Sequence, residues 1–473
     1  MTDFFDLIVL GGGSAGLSAA RHARKLGAER VALVEKDLLG GECPNTACVP
    51  TKALLRSAGA IAEIRRAGEL GVRVGEAKPD WLAMRERMRG ITGFYEGNAP
   101  VERRLKDQGI SYFSGQGQFV SAGEVRVGDQ LLRAPRVILT SGSQDKQPPV
   151  EGLGEVGYLT HVEALELDEL PRSMAIIGAG AVGVEFAQIF APLGVQVTLL
   201  VSGPLPLPHE DGDVSRVLLE LLKQEPNLRV LTGVRVERAE ERGAIKVLHL
   251  RGAKMPSEPM PSGKGEVLTE LEAEEIFVAV GHAPAVEGMG LDSIGVRCGR
   301  MGVEVDDELR TSATGVWAAG DVTGVALYTH VASYQAKIAA HNALCDLTGQ
   351  TPQKADYRVI PRATFCRPEV AGVGLTENDC RCKDVPYHAV TLPFDAIERS
   401  VAASETAGLA KIIVEAESGQ ILGAHVIGAR AGELIREIAP LMAARVPVAQ
   451  IAQTIHAFPT FSEMWEAVAL QLV

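Results

Sequence analysis

Asp6-Leu7-Ile8-Val9-Leu10-Gly11-Gly12-Gly13-Ser14-Ala15-Gly16-Leu17-Ser18 is the stretch on which the fold turns. Leu7–Leu10 is a short apolar run that reads as a buried strand. Ala15–Gly27 is rich in helix formers, and Val31–Val34 is a second apolar strand. Strand, helix and strand in that order make a β-α-β unit, so the adjoining sheet is expected to be parallel and doubly wound. At the first join stands Gly11-x-Gly13-x-x-Gly16. The first glycine makes the tight turn, the second lets backbone approach a pyrophosphate, and the third allows close packing of helix on strand. A diphosphate there meets the positive end of the helix dipole. Glu35 ends the next strand, where a carboxylate can hydrogen-bond a ribose diol. An ordinary glycine turn would need none of these neighbours.

The same pattern recurs at Met174–Leu200. Ala175-Ile176-Ile177 leads into a helix through Leu193, then Gln196–Leu200, with Gly178-x-Gly180-x-x-Gly183 at the join. The second strand ends at Leu200-Val201-Ser202. That position offers neither an acid for a free 2′-hydroxyl nor an arginine for a 2′-phosphate, so NAD and NADP both remain open. Ser202 can hydrogen-bond either one. His209, in the following loop, reads as a solvated loop residue. Two dinucleotide turns in one chain suggest FAD at one and a nicotinamide at the other, with electrons passed on to a third group.

Length and composition agree. At about 150 residues per domain, 473 residues make two to four domains with sizeable cores. Hydrophobic residues at 46% and charged ones at 23% exclude a largely disordered chain. A net charge of −13 with no long basic block argues against nucleic acid as a partner. Seven cysteines in so long a chain exclude a disulfide-stapled secreted scaffold. No apolar run reaches the roughly 18–20 residues of a membrane span. The N-terminus carries no positive leader, so a cytoplasmic location without membrane partners is expected.

Three stretches read as loops: Gly142–Gly154, a plausible domain boundary; Ser202–Asp211, with three prolines; and Lys254–Gly265, an exposed hairpin tip. After about residue 347 the texture changes. Strand-like Ala410–Val414 and Gly423–Val426 lead to a helix near Gly432–Ala444, with no phosphate turn, which reads as a third, non-nucleotide domain. The expected fold class is α/β: two Rossmann-like domains plus a C-terminal α+β dimerisation domain. The expected boundaries are 1–146 and 276–346 for the FAD domain, 147–275 for the nicotinamide domain, and 347–473 for the interface domain.

Immediately after the first β-α-β unit comes Gly40-Gly41-Glu42-Cys43-Pro44-Asn45-Thr46-Ala47-Cys48-Val49-Pro50-Thr51-Lys52. Cysteines five apart can sit on neighbouring turns of a helix, within disulfide reach. A helix N-terminus and nearby Lys52 would favour thiolate. Buried apolar packing is the bland alternative. A metal site would need ligands that do not follow locally, and no metal is expected. Beside a flavin turn, redox activity is the favoured reading.

With these segments in view, the chain resembles the class I pyridine nucleotide–disulfide oxidoreductases, the family of glutathione reductase, dihydrolipoamide dehydrogenase and mercuric reductase. Gly40–Lys52 resembles the family's redox motif, with Glu42 and Ala47 in place of its usual Thr and Gly. Thr140-Ser141-Gly142-Ser143 resembles the turn under the FAD. Gly315–Asp321 resembles the second FAD motif, whose aspartate, here Asp321, binds the ribityl chain. Pro361–Leu375 and Leu422–Glu433 resemble the interface domain. The resemblance implies that NAD(P)H reduces FAD and that FAD reduces a Cys43–Cys48 disulfide. Cys48 would face the flavin as the charge-transfer thiolate, and Cys43 would meet the substrate. Lys52 and Glu185 match the ion pair beside the flavin. Thr329 and His330 begin a helix, Val331–Leu344, whose N-terminus would point at the flavin's pyrimidine edge; for His330 a structural cap is an equal alternative. Ser14, Lys36, Gly41, Gly117, Gly281, Gly320 and Val182 complete the cofactor set.

One departure bears on mechanism. Members that exchange thiols carry His-Pro-Thr near the C-terminus, with a Glu five residues after the His, and that histidine reaches into the partner subunit of a homodimer as acid/base. Here the segment is His456-Ala457-Phe458-Pro459-Thr460-Phe461-Ser462-Glu463. Phe458 stands where the histidine belongs, and Glu463 is kept. His456 lies about 7 Å away along an extended chain and reads as a packed or hydrogen-bonded residue. A placed base supplies about 10²–10⁴-fold, so exchange with dihydrolipoamide or glutathione is expected to be slow. Mercuric reductases also lack this histidine, and small Ala181, at a position where several thiol reductases place a gating tyrosine, leans the same way. The chain's end, Ala469–Val473, lacks the cysteine pair such enzymes use, so efficient mercury reduction is not expected. The expected function is an NAD(P)H oxidoreductase with a small-molecule electron acceptor: a metal ion, a quinone or another small electrophile. Dihydrolipoamide dehydrogenase and a flavin-containing binding protein are the alternatives. Of the other cysteines, Cys298, Cys345 and Cys366 look structural or exposed. Cys380 and Cys382 read as a solvated pair at a surface helix start, with an accessory metal or redox contact as the minority reading.

Overall fold

In the computed structural model, which describes residues 2–252 and 268–473, the opening stretch forms the β-α-β unit read from it. Strand Leu7–Leu10 runs into helix Ser14–Lys25 and returns as strand Val31–Glu35. The helix stops because Gly27 turns to φ +99, a conformation that costs glycine nothing. His22, Arg24 and Lys25 in its last turn complement the negative end of its dipole.

By backbone contacts the chain divides into two units. The first is Met1–Pro50, Glu86–Lys146 and Gly281–Asp356. Its centre is a five-stranded parallel sheet in the order Val316–Ala318, Val137–Leu139, Leu7–Leu10, Val31–Glu35, Ile110–Ser114. The two helices over it, Ser14–Lys25 and Thr329–Ala343, pack through Ala19, Ala20, Ala23, Ala336, Ala339 and Ala340. These small side chains let the helices approach closely. From Leu7–Leu10 the chain order runs one way to Val31–Glu35 and the other way to Val137–Leu139. The crevice for a ligand therefore opens at the carboxyl end of Leu7–Leu10, where Gly11 stands.

The second unit is Thr51–Arg85, Gln147–Val280 and Tyr357–Val473. It holds a second parallel sheet, Leu228–Thr232, Gln196–Val201, Ser173–Ile177 and Glu275–Val278, with the same reversal beside Ser173–Ile177. It also holds a five-stranded antiparallel sheet in the order Arg362–Thr364, Glu369–Gly374, Ile421–Gly428, Leu409–Glu415, Tyr387–Pro393. Helices Ala431–Ala443 and Glu463–Ala469 cover that sheet through Leu434, Ile438, Trp465 and Val468. Each such large apolar side chain contributes about 1.5–3 kcal/mol on burial, and Trp465 Nε1 still finds an acceptor in Leu434 O at 3.0 Å.

The fold is the expected α/β class. One loop differs: Gly142–Gly154 contains a short strand, Ser143–Asp145, paired antiparallel with His282–Pro284. Three residues carry no periodicity, so only the distant partner strand makes it visible. The expected tip at Lys254–Gly265 lies outside the described residues. Among the described residues no helix is long and apolar enough to cross a membrane.

Candidate functional site

The first glycine turn is shaped by backbone crowding. A Cβ on Gly11 would meet Thr140 O at 2.1 Å, and one on Gly16 would meet Gly11 O at 1.8 Å. Gly13 is different: its Cβ would find nothing nearer than Gly41 Cα at 3.8 Å, so the turn is open where a phosphate would come. Ser14 begins the helix behind it. Gly41 has φ +68, and the chain around it is tied back by Gly40 N–H donating to Gly12 O at 2.8 Å. Gly11, Glu35, Lys36, Gly117 and Ser141 line one cleft of about 110 Å³ with Leu10 and Val34. Glu35 is held there by the Gly12 and Asp37 N–H groups, at 2.5 and 2.8 Å.

Next to Ser141 in the chain, Gly142 has φ +76, and a Cβ there would find nothing within 4 Å. Ser143 Oγ donates to Asp321 Oδ2 at 2.9 Å. Burial raises the Asp321 carboxyl above its ordinary value, and the Ser143 hydrogen bond opposes this. Gly320, at φ +86, gives its N–H to Gln335 Oε1 at 2.7 Å. Sequence reading passed over Gln335; the signal was an N–H in a buried glycine turn that needed an acceptor.

Cys43 and Cys48 are not on neighbouring turns of one helix. Cys43 lies in Glu42–Asn45, the chain breaks at Thr46 with φ −132, and Cys48 opens a new helix, Cys48–Arg66. Pro50 explains the break. Proline lacks the N–H that a through-helix would need and is tolerated only in a first turn. Asn45 Nδ2 closes the short segment on Leu39 O and Gly41 O at 3.2 and 2.8 Å. The consequence is chemical. Cys48 Sγ stands at the start of its own 19-residue helix, 3.8 Å from Oγ1 of Thr329, the first residue of the 15-residue helix Thr329–Ala343. The positive ends of two helices favour negative charge on that sulfur. His330 is exposed, its ring stacked on Tyr328 with centroids 5.3 Å apart. Glu42, beside Cys43, lies 3.9 Å from His282 Nε2, which is 3.2 Å from Asp145 Oδ1. Burial raises the Glu42 carboxyl, opposed by His282.

In the second unit, Lys52 Nζ donates to Glu185 Oε2 at 2.7 Å. Glu185, its side chain 4% exposed, also accepts the Phe365 N–H at 2.9 Å, and Lys52 lies over the Phe365 ring at 5.0 Å. The neighbouring thiol of Cys366 is pushed far up by burial and by Glu185. The second glycine turn repeats the first: a Cβ on Gly178 would meet Ala279 O at 2.3 Å, one on Gly183 would meet Gly178 O at 1.9 Å, and Gly180 is open. Val182 lies in the first turn of helix Ala181–Phe190, and Ser202 and His209 are exposed. Gly281, with φ +94, accepts the Lys146 N–H at 2.9 Å within the first unit.

Near the C-terminus, Phe458 is 71% exposed. His456 turns inward, Nε2 3.1 Å from Ile451 O and Nδ1 3.7 Å from Glu437 Oε1. Buried Glu463 accepts the Thr460 N–H. Cys380 and Cys382 are not a solvated pair. Thr376 and Asp379 cap their helix as a capping box, which rolls Cys380 into the core and leaves Cys382 outside. Three carboxylates that could surround a metal ion, Asp211, Asp213 and Glu377, are all bonded to Lys411 Nζ instead.

Two phosphate-shaped turns at two sheet crevices, with a cysteine at paired helix N-termini, define a dinucleotide-dependent oxidoreductase. The pyridine nucleotide-disulphide oxidoreductase family model matches residues 5–336, and that of the family's dimerisation domain matches residues 360–469. The chain belongs to this family: it is an NAD(P)H-dependent flavin disulfide oxidoreductase using FAD. It is 31% identical to a mercuric reductase of Bacillus cereus, over 97% of this chain and 70% of that one. It is 33% identical to a dihydrolipoyl dehydrogenase of Chlamydia muridarum, over 100% and 98%. Its fold is similar to the Cu(II) complex of the HOCl-induced flavoprotein disulfide reductase RclA from Escherichia coli, with TM-score 0.83, 26% identity and both chains fully covered. The open cradle at Gly13 and the carboxylate of Glu35 fit the diphosphate and ribose of FAD. When bound, FAD carries two electrons between the nicotinamide and the cysteines.

Proposed function

We propose that this chain is a cytoplasmic homodimeric reductase that passes electrons from NAD(P)H, by way of FAD and the Cys43–Cys48 pair, to a small electron acceptor, in the first place a redox-active metal ion such as Cu(II). The dithiol form of the pair gives one electron to each of two Cu(II) ions, which leave as Cu(I), releases its two protons to solvent and returns to the disulfide. In this reading Cys48 faces the flavin, Cys43 meets the acceptor, and Lys52 with Glu185 holds the flavin side. Gly11, Gly13, Gly16, Glu35, Ser141 and Asp321 hold FAD, and Gly178, Gly180, Gly183 and Ser202 hold the nicotinamide dinucleotide. The segments are 1–146 and 276–346 for FAD, 147–275 for NAD(P) and 347–473 for the dimer.

The observation that carries the choice of acceptor is Phe458. A solvent-exposed phenyl group precedes Pro459, and the nearest imidazole, His456, is engaged by Ile451 O and faces Glu437. A metal ion needs no proton from a base when it accepts electrons from a thiolate, whereas a leaving thiol does. Two similar proteins carry metal-directed names, mercuric reductase and a Cu(II) complex. The kept Glu463 and the dihydrolipoyl dehydrogenases at 33% identity favour thiol exchange as the second reading.

The test is an acceptor screen with NADH and NADPH on wild type and Cys43→Ser, using Cu(II), a naphthoquinone and oxidised lipoamide. Cu(II) reduction that Cys43→Ser lowers at least 10²-fold is expected. Fast lipoamide turnover by wild type would establish the second reading, and full activity in Cys43→Ser would remove the disulfide mechanism.

A further inference from the structure

The loop from Ser202 to Asp211 follows the strand of the second glycine turn, and its conformation is set from a distance. Leu207 sits at φ +48, a left-handed backbone that a non-glycine residue adopts only where its surroundings insist. Its N–H donates to Ala179 O at 2.8 Å, inside the turn Gly178–Gly183. Its carbonyl accepts Ser215 Oγ at 3.2 Å and the Glu210 N–H at 3.0 Å. Asp211 then caps helix Gly212–Leu222, accepting the Asp213 N–H at 3.1 Å. Both acidic residues of this loop end are gripped from the antiparallel sheet. Lys411 Nζ, from strand Leu409–Glu415, lies 2.8 Å from Asp211 Oδ1 with a side chain only 2% exposed, and it also binds Asp213 and Glu377. Asp211 Oδ2 accepts the Glu377 N–H at 3.1 Å. Arg362 Nε donates to Glu210 Oε1 at 2.8 Å. Gly372 leaves room for this grip: a Cβ there would press within 2.9 Å of Glu210 Oε2 and His425 Nδ1.

We propose that Lys411, together with Arg362, is the positioning centre of the nicotinamide site: through Asp211, Glu210 and Leu207 it holds the turn Gly178–Gly183 and the loop after it ready for NAD(P)H. A loop of this length that is ordered before the ligand arrives spares binding its ordering cost, and affinity rises accordingly. The alternative is an ion cluster whose only effect is on the fold, since removing one partner of a buried pair leaves an uncompensated charge. The inference rests on the reading of Gly178–Gly183 as the NAD(P)H turn.

The experiment titrates the FAD-loaded protein with NAD⁺ and with NADP⁺ by calorimetry, and follows anaerobic flavin reduction by the matching reduced nucleotide. Lys411→Met is expected to raise the nucleotide dissociation constant at least fivefold while the limiting reduction rate at saturation changes less than twofold. Lys411→Arg should bring affinity back to within twofold of wild type. A folded Lys411→Met protein with a lowered melting temperature and unchanged affinity would overturn the proposal. Should Lys411→Met fail to fold, Asp211→Asn decides: a threefold or larger loss of affinity supports the anchor, and an unchanged affinity overturns it. Gly180→Asp places a carboxylate at the open position of the turn. If that variant binds nucleotide as wild type does, the reading of the turn has failed, separately from the anchor.

Discussion

At Phe458 and Glu185 the expected outcomes belong to single side chains. If the missing base limits thiol exchange, Phe458→His should raise turnover with dihydrolipoamide by about 10², the low end of what a placed base supplies. An unchanged rate would show that Phe458 is not the limiting feature. Glu185 is buried and answers to two donors, Lys52 Nζ and the Phe365 N–H. Lys52→Met removes the charged donor and leaves the carboxylate underpaired. A loss of about 1–3 kcal/mol is expected, read as a lowered unfolding midpoint, and Lys52→Arg should lose less. The geometry of Glu35 and the six turn glycines could be read from the chain because it is local: each sits within its own strand-turn-helix. The Phe365 contact could not, since a backbone N–H 180 positions away leaves no mark near Glu185.

The glycine turns act as units. Gly16→Val would drive side-chain atoms into Gly11 O, already 1.8 Å from a bare Cβ, and so spread the strand from the helix. The expected result is a protein purified with little flavin, measured as the ratio of absorbance at 450 and 280 nm. Gly27→Asn is the control: φ there is +99, but nothing lies within 4 Å, and asparagine tolerates the left-handed region better than other side chains. It should keep its flavin; equal loss in both variants would place the fault in general instability. The cysteine segment teaches the opposite lesson. Spacing alone suggested one helix, but Pro50 forced a restart at Cys48, and the restart put that sulfur at a helix N-terminus.

Across the second unit, charge is buried in quantity, and stability should follow pH. His425 is fully buried and is pushed down to about 4 by that burial, with Arg362 acting in the same direction. Its ordinary value is about 6.5. Between those values the unfolded chain takes up a proton that the folded one refuses. The neutral histidine's contribution is therefore complete above about pH 6.5 and is lost as pH falls toward 4, up to about 3 kcal/mol. Burial pushes Asp211 and Glu377 up, but Lys411 outweighs it and holds both below the usual carboxylate range. Their share is complete above that range and is lost below it, so both effects weaken the fold in acid. The melting temperature should fall from pH 7 to pH 4.5, and His425→Gln should flatten the part above pH 5. An equal slope in that variant would clear His425 of the effect.

Local chemistry written along the chain was enough to specify two strand–glycine-turn–helix units, a cysteine segment between them and an interface domain without a phosphate turn. Each of these depends on residues within a few positions of one another, and short-range backbone geometry enforces them. Only the folded chain decided which groups meet across long separations. It turned His456 inward, rolled Cys380 into the core and paired Ser143–Asp145 with His282–Pro284. It also brought Lys411 to Asp211, 200 positions away. A buried ammonium is stable only where its partners are close enough to repay its desolvation, and those partners, Asp211, Asp213 and Glu377, come from distant stretches of the sequence.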